Sequence, residues 1–332
     1  MSRIHVIHEN PAWLPPLAEA FDRRGLPWTE WDLSGGVFDL AAPPPEGVFY
    51  NRMSASSHTR GHRYAAELTA AVLAWLTQHG RRVVNGPRAL DLEISKARQY
   101  AALEAAGVAV PRTVLALGDT DRVVSAAREH FAGGPVILKP NRGGKGLGVR
   151  LFSGAEALEA HLRALPEDEH PADGLWLLQE HIRAERPVIT RAEFVGGRFL
   201  YAVEVDTSAG FELCPADVCA VDDAFCPVGE TPAANASLAP AAPRFRVLEE
   251  GIDAGLRSRL EAFLAANGTE VAGVEFIRGT DGRLLTYDLN TNTNYNAEAE
   301  EKAGILGTDR SGPGAIARFL GEELGRTVSA AA

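Results

Sequence analysis

Gly273-Val-Glu-Phe-Ile-Arg-Gly-Thr-Asp-Gly-Arg-Leu-Leu-Thr-Tyr-Asp-Leu-Asn290 is the stretch on which the reading of this chain turns. It reads as two strands joined by Asp281-Gly282, a dipeptide suited to a two-residue type I′ hairpin because both central positions need positive φ. Counting outward from that turn, Thr280 faces Arg283 and Glu275 faces Asp288. Opposed residues share one face of a sheet, and Asn290 joins that face by the strand period of two. Like charges set opposite each other are destabilising, and a cation between them removes the penalty. Two carboxylates and an amide oxygen make a hard-oxygen set suited to Mg²⁺ with bound phosphates. The plainer alternative is an edge hairpin whose acids are solvated.

Upstream, Val136-Ile-Leu-Lys139-Pro140 reads as a buried strand ending in a lysine. It runs into Asn141-Arg-Gly-Gly-Lys-Gly-Leu-Gly148 and then a short apolar strand, Val149-Arg-Leu-Phe152. Glycines at 143, 144, 146 and 148 let backbone N–H groups approach phosphate oxygens closely. No Gly-Lys-Ser/Thr opens a helix here, which excludes a P-loop. A strand rather than a helix follows, which excludes a dinucleotide fingerprint. A glycine-rich hairpin over phosphates fits, as does a flexible surface hairpin. Trp176-Leu-Leu-Gln-Glu180-His-Ile182 is an apolar strand that ends in Gln-Glu and then turns apolar again. Such an edge can serve an adenine through backbone groups, or simply reach solvent.

Taken in order, Lys96, Leu138-Lys139-Pro140, the Arg142–Gly148 loop, Gln179-Glu180, Arg191, Glu275 and Asp288-Leu-Asn290 resemble the ATP-grasp superfamily. The resemblance is to its glutathione-synthetase-like branch, which includes the RimK-type ribosomal-protein glutamate ligases, and it covers residues 85–320. It implies an α/β (α+β) ATP-grasp fold, with a small N-terminal pre-ATP-grasp α/β domain and ATP held between two α+β subdomains. It also implies Mg²⁺, with Mn²⁺ as a substitute, on the acidic hairpin. Lys96 and Lys139 resemble the phosphate-contacting lysines, Lys139 with a catalytic part. Arg142, Gly143, Gly144, Lys145, Gly146 and Gly148 resemble the loop that closes over the γ-phosphate. Gln179, Glu180, His181 and Ile182 resemble the hinge beside adenine and ribose. Arg191 stands where the family places a catalytic arginine toward the reacting phosphate, and Glu275, Asp288 and Asn290 resemble the metal ligands.

The chain also departs from the pattern. The family usually has Glu at the place of Asp288, and after Asn290 it often runs through a Ser-Pro-Gly-like stretch. Here the sequence is Thr291-Asn-Thr-Asn-Tyr-Asn296. Asn292, Asn294, Tyr295 and Asn296 are candidates for shaping an acceptor pocket, or the asparagines satisfy a tight polar turn. Arg52 and Ser54 follow a strand, where open α/β sheets place ligands. Arg52 is suited to pairing with a substrate carboxylate; a polar strand-to-helix loop accounts for it equally well. Phe211-Glu-Leu-Cys-Pro-Ala-Asp217 matches nothing in the family.

The activity implied is an ATP-dependent carboxylate–amine ligase that forms an amide through an acyl phosphate and releases ADP and phosphate. A carboxylate is a poor acyl donor, and phosphorylation supplies a leaving group. Phosphoryl transfer itself asks for positioning and charge neutralisation more than covalent help. The alternatives are a small-molecule kinase of the same fold and a non-catalytic ATP-sensing module. The expected partners are a small-molecule acid and amine (an amino acid or peptide), with a homo-oligomer suggested by the resemblance.

The global numbers agree. A chain of 332 residues suggests two or three domains. The pattern divides it into 1–84, 85–175 and 176–326. A net charge of −11 argues against a general nucleic-acid or anionic-membrane binder, and no apolar run approaches the length of a membrane span. The N-terminus lacks a signal-peptide pattern. Cys214, Cys219 and Cys226, an odd count, suggest reduced cytoplasmic thiols; a cysteine-only zinc site would need four ligands. Helices are expected at 15–24, 63–80, 252–266 and from Asn85-Gly-Pro to Gly107, the last carrying Lys96. Thr120 is expected to cap a helix through Phe131, and Ser153 with Glu156 to form a capping box. Gly196-Gly197 is read as a hairpin turn, and 227–243 as an Ala/Pro-rich loop.

Overall fold

The structure is a computed structural model that describes residues 2–144, 146–208, 245–248 and 250–331. The three cysteines, Lys145, the 211–217 segment and the 227–243 loop lie outside the described residues.

The N-terminal unit runs β1 (Arg3–His8), α1 (Pro15–Arg23), β2 (Trp28–Asp32), β3 (Gly47–Asn51), α2 (Ala65–Gln78) and β4 (Arg82–Val84). Its parallel sheet has the order β2-β1-β3-β4. Parallel sheets are covered on both faces, and the strand alternation shows it. Ile4, Val6, Val48 and Tyr50 pack with Leu17 and Phe21 of α1, whereas Ile7 and Phe49 pack with Val72, Leu73 and Leu76 of α2. The loop that carries Arg52 and Ser54 leaves the C-terminal end of β3.

One helix was expected between Asn85 and Gly107; there are two, α3 (Pro87–Glu93) and α4 (Lys96–Ala105). The break has a local cause. Ser95 takes an extended conformation and its side chain accepts the Arg98 N–H, an N-cap lodged inside an apparently continuous helical pattern. Lys96 therefore sits on the first turn of α4.

The central unit contains β5 (Thr113–Leu117), α5 (Thr120–Phe131), β6 (Val136–Pro140), β7 (Arg150–Phe152), α6 (Ala155–Ala164) and β8 (Leu175–Glu180). The strands form an antiparallel sheet in the order β5-β8-β6-β7. Val136, Leu138, Trp176 and Leu178 pack under α5 and α6. The period of two then turns Ile137, Lys139 and Gln179 to the opposite face. Two caps differ from expectation: Asp119, not Thr120, caps α5, and α6 follows Gly154 with no side-chain cap. The division expected at 175/176 cuts through the start of β8; the chain leaves the central sheet only after Glu180.

The C-terminal unit contains β9 (Val188–Val195), β10 (Arg198–Asp206), β11 (Phe245–Leu248), α7 (Ala254–Ala266), β12 (Val271–Arg278), β13 (Leu284–Asn290), α8 (Ala297–Lys302) and α9 (Gly312–Ala331). The antiparallel order is β11-β10-β9-β12-β13. Gly196 and Gly197 both have positive φ, +63° and +70°, as a two-residue hairpin turn requires. The last helix, α9, returns to the first unit. Its Ile316, Leu320 and Leu324 complete the core beneath β1 and β3, so the chain's two ends share one cluster. Among the described residues no helix is long and apolar enough to cross a membrane.

The acidic hairpin reaches its expected pairing by a different route. The turn is not type I′ at Asp281-Gly282, because only Gly282 has positive φ. The Gly282 N–H bonds to the Gly279 carbonyl and the Gly279 N–H to the Arg283 carbonyl, which makes Thr280-Asp281-Gly282 a three-residue loop. That loop shifts the register by one. An irregularity beside Phe276 and Glu275 then inserts one extra residue, Tyr287, into β13 and restores Glu275 opposite Asp288. A bulge of this kind re-aims side chains, and both Tyr287 and Asp288 line the same cleft.

Candidate active site

A cleft of about 550 Å³ lies between the open faces of the central and C-terminal sheets, with the N-terminal unit at one end. This is the size range of small-ligand sites. β6 supplies Lys139 and β8 supplies Gln179 from one side; β9 supplies Arg191, β12 Glu275 and β13 Asp288 and Asn290 from the other. α4 brings in Lys96, and the β6–β7 hairpin contributes Gly143, Gly144 and Gly146 as a rim.

Buried charges in the cleft neutralise one another. The Lys96 ammonium is ion-paired with Asp288. Burial pushes the Asp288 carboxyl up, but Lys96, together with Lys139 and Arg191, outweighs it and holds the group below its usual range. Arg191 donates to Glu193 at 2.7 Å, to Glu275 at 3.1 Å and to the Thr293 hydroxyl. Burial works against that guanidinium's charge, but Glu193 and Glu275 more than offset it and raise its affinity for the proton. Glu275 is driven upward by burial and by Asp288 across the strand pair, against the pull of Arg191. Among the described residues Lys139 has no acidic partner in contact. Its ammonium donates to the Tyr100 hydroxyl and, at 2.9 Å, to Gln179 Oε1. Burial, reinforced by Lys96, lowers its pKa to about 7.

Three solved structures share this architecture. A RimK-domain ATP-grasp protein from Sphaerobacter thermophilus matches over 96% of this chain and 99% of its own, with a TM-score of 0.62 and 19% identity. The ATP-grasp ligase PsnB, complexed with a minimal precursor, Mg and ADP, matches over 97% of each chain, at 0.61 and 18%. The D-cycloserine synthetase DcsG matches over 97% of this chain and 99% of its own, at 0.62 and 18%. The chain has the ATP-grasp fold. No family model and no curated protein matches it by sequence.

Within the ATP-grasp cleft, most of the residues singled out in the sequence converge. Ser54, Lys96, Lys139, Gly143, Gly144, Gly146, Gln179, Glu180, His181, Ile182, Arg191, Glu275, Asp288, Asn290, Asn292 and Asn294 all line it. Arg52, Arg142, Gly148, Tyr295 and Asn296 do not. Arg142 is buried and turned away, in a two-point ion pair with Glu67 of α2 at 2.6 and 3.3 Å. That pair fastens the glycine-rich hairpin to the N-terminal unit and holds the Glu67 carboxyl below its usual range. Glu180 spends one carboxylate oxygen on the Arg112 N–H at 2.8 Å, tying β8 to the start of β5.

Four contributors escaped the sequence reading. Glu193 lies two residues from Arg191 on β9 and so shares its face; that spacing was a usable signal. Tyr100 stands four residues after Lys96 on α4, again on one face. Thr293 accepts from Arg191 and donates to Glu193 at 2.9 Å. Glu93 is buried and accepts from the Ala55 N–H at 3.2 Å, the Thr291 N–H at 2.6 Å and the Thr291 hydroxyl at 3.1 Å, joining loops from two units. Nothing local in the sequence marks the last two.

Gly273 is what lets Arg191 lie across the sheet. A Cβ there would stand 2.7 Å from Arg191 Nε and Nη2. Gly273→Ala should therefore displace the guanidinium and cost about 1–3 kcal/mol of stability, as overpacking does. Urea denaturation checks this, and an unchanged midpoint would mean that the guanidinium moves aside freely.

Proposed function

We propose that the protein is an ATP-dependent carboxylate–amine ligase. The γ-phosphoryl group of ATP passes to a substrate carboxylate, an amine attacks the resulting acyl phosphate, and the products are an amide, ADP and phosphate. The observation that supports this best is one cleft that gathers Lys96, Lys139 and Arg191 against the Glu275–Asp288 pair beneath a glycine-rich hairpin. Phosphoryl transfer needs cations around the migrating group, placed before reaction in a site that excludes water. The named neighbours, a ligase solved with Mg and ADP and a synthetase, agree with it.

In this reading Lys139 and Lys96 hold phosphate oxygens, and Arg191 stabilises charge on the transferred group. The backbone of Gln179 to Ile182 borders the adenine. Gly143, Gly144 and Gly146 lie over the phosphates. Glu275, Asp288 and Asn290 would hold Mg²⁺, or Mn²⁺ in its place, which supplies charge neutralisation at the phosphates. The donor set fits: all three offer hard oxygens, and two carboxylates suit an ion that shares its coordination with phosphates and water.

With ATP and the ion bound, Lys96 would hold a phosphate in place of Asp288, and Glu275 and Asp288 would hold the ion, so these three buried charges would keep partners. The test is release of ADP and phosphate from MgATP with pooled amino acids and short acids, followed by mass spectrometry of the same mixtures. Amine-dependent ADP release with a joined product is expected. ADP with a phosphorylated product alone would make the protein a kinase, and AMP would overturn the acyl-phosphate route.

A further inference from the structure

At the N-terminal end of the cleft Asn294 and the Ser54–Ser56 pair offer donors, and a guanidinium stands behind each: Arg52 behind Asn294 and Arg60 behind Ser56. Arg52 is 6% exposed. Its Nη1 donates to the Trp13 carbonyl at 3.1 Å, and its Nη2 to the Thr293 carbonyl at 3.2 Å and Asn294 Oδ1 at 2.9 Å. Its Nε is buried with no partner. Among the described residues no carboxylate lies within ion-pair distance of it, and the oxygens that accept from it belong to carbonyl and amide groups. Buried charges are ordinarily paired.

An arginine offers only donors, so the amide oxygen of Asn294 must face it. The NH₂ of Asn294 is then left for the cleft, polarised by the guanidinium behind it. The serines reach the same state. Ser54 Oγ accepts the Ser56 N–H at 3.1 Å, and the two hydroxyls bond to each other at 2.9 Å. Ser56 Oγ also accepts from Arg60 Nη1 at 3.1 Å. Whichever hydroxyl donates within the pair, one O–H proton remains, and both serines line the cleft. Arg60 is neutralised by Glu9 at 2.5 Å, whereas Arg52 has no carboxylate beside it among the described residues. The nearby Glu93 adds little acceptor capacity, because its oxygens are already taken by three donors.

We infer that Ser54, Ser56 and Asn294, with Arg52 behind Asn294 and Arg60 behind Ser56, form a carboxylate-binding subsite that anchors a substrate by a carboxylate other than the one that reacts. Two molecules can present that group: an amino-acid acceptor by its α-carboxylate, or a dicarboxylate donor by its second acid. The inference rests on the ligase reading only for the word substrate, and binding tests it without turnover.

Thermal unfolding of the full chain is followed with alanine, glutamate, succinate, glutarate, alaninamide and inorganic phosphate, each against chloride at equal ionic strength. Carboxylates should stabilise and alaninamide should not. Asn294→Leu and Arg52→Met should weaken that effect about tenfold or more, as loss of a charge-assisted hydrogen bond does. Arg52→Lys should retain part of it. Asn294→Leu keeps the question answerable if Arg52→Met does not fold. Stabilisation by amino acids points to the acceptor, and by succinate or glutarate alone to the donor. The subsite is overturned if no carboxylate stabilises, if alaninamide does so equally, or if Asn294→Leu leaves the carboxylate effect unchanged or weakens that of phosphate to the same degree. Carboxylate binding without ADP release would leave the subsite standing and remove the ligase.

Discussion

Replacing Lys139 with Met is expected to lower ADP release by about 10²–10³-fold, the loss typical of one preorganised charge-stabilising group, while the protein stays folded. Among the described residues the side chain has no acidic partner in contact, and it rests against the Tyr100 ring, its nitrogen 5.0 Å from the centroid. Methionine fills similar space, so the cleft wall keeps its shape. The substitution also has a pH signature. Burial and Lys96 bring the Lys139 pKa to about 7 in the folded chain, against about 10.4 for an unfolded lysine. Between those values the unfolded chain carries a proton that the folded chain has shed, so this group's contribution to stability rises as pH climbs from about 7 to about 10 and is flat beyond. Lys139→Met removes the rise. Denaturation of both proteins at pH 7 and pH 9 should show wild type gaining on the variant at the higher pH. Full ADP release by the folded variant would take Lys139 out of the phosphate site.

How far the sequence could be read depended on the range of each interaction. Local signals carried well. Gly196-Gly197, the strand ending in Lys139 and the helix expected at 63–80 all follow from signals over a few residues. The Glu275–Asp288 pairing was read correctly for an incomplete reason: the turn is one residue longer than Asp281-Gly282 suggested, and the bulge at Tyr287 compensates. Bulges have no strong single-sequence signature, so the two departures cancelled unseen. The break before Lys96 was visible in principle, because Ser95 is a good cap, but the helical pattern ran through it. Arg142 shows the limit. Its place in a glycine-rich loop suggested phosphate, while its partner Glu67 lies 75 positions away on another unit. Glu93 and Thr291, nearly two hundred positions apart, are the same case. Contacts that stitch three units around a cleft are set by how the units dock, and no periodicity records that.

Asp288→Ala should be the most damaging single change at the site, with ADP release falling by at least about 10³-fold. Two losses coincide. The carboxylate is one of the proposed oxygen ligands of the metal ion, and only one other carboxylate, Glu275, belongs to that set. It is also the counter-ion of Lys96, whose side chain is only 11% exposed. With the partner gone, that ammonium is buried and unpaired, a defect that costs about 3 kcal/mol or more. The nucleotide-free variant should therefore unfold at lower temperature than wild type, and MgATP should restore less of the difference than it does for a surface variant. Asp288→Asn separates the two effects. It keeps the shape and an oxygen beside Lys96 but gives up the negative charge that draws the cation. If the carboxylate serves the metal, Asn should be as inactive as Ala while recovering part of the lost stability. If its only task is to steady Lys96, Asn should recover activity along with stability. A folded, fully active Asp288→Asn would move the metal site away from this hairpin and leave the bulge at Tyr287 with a purely structural purpose.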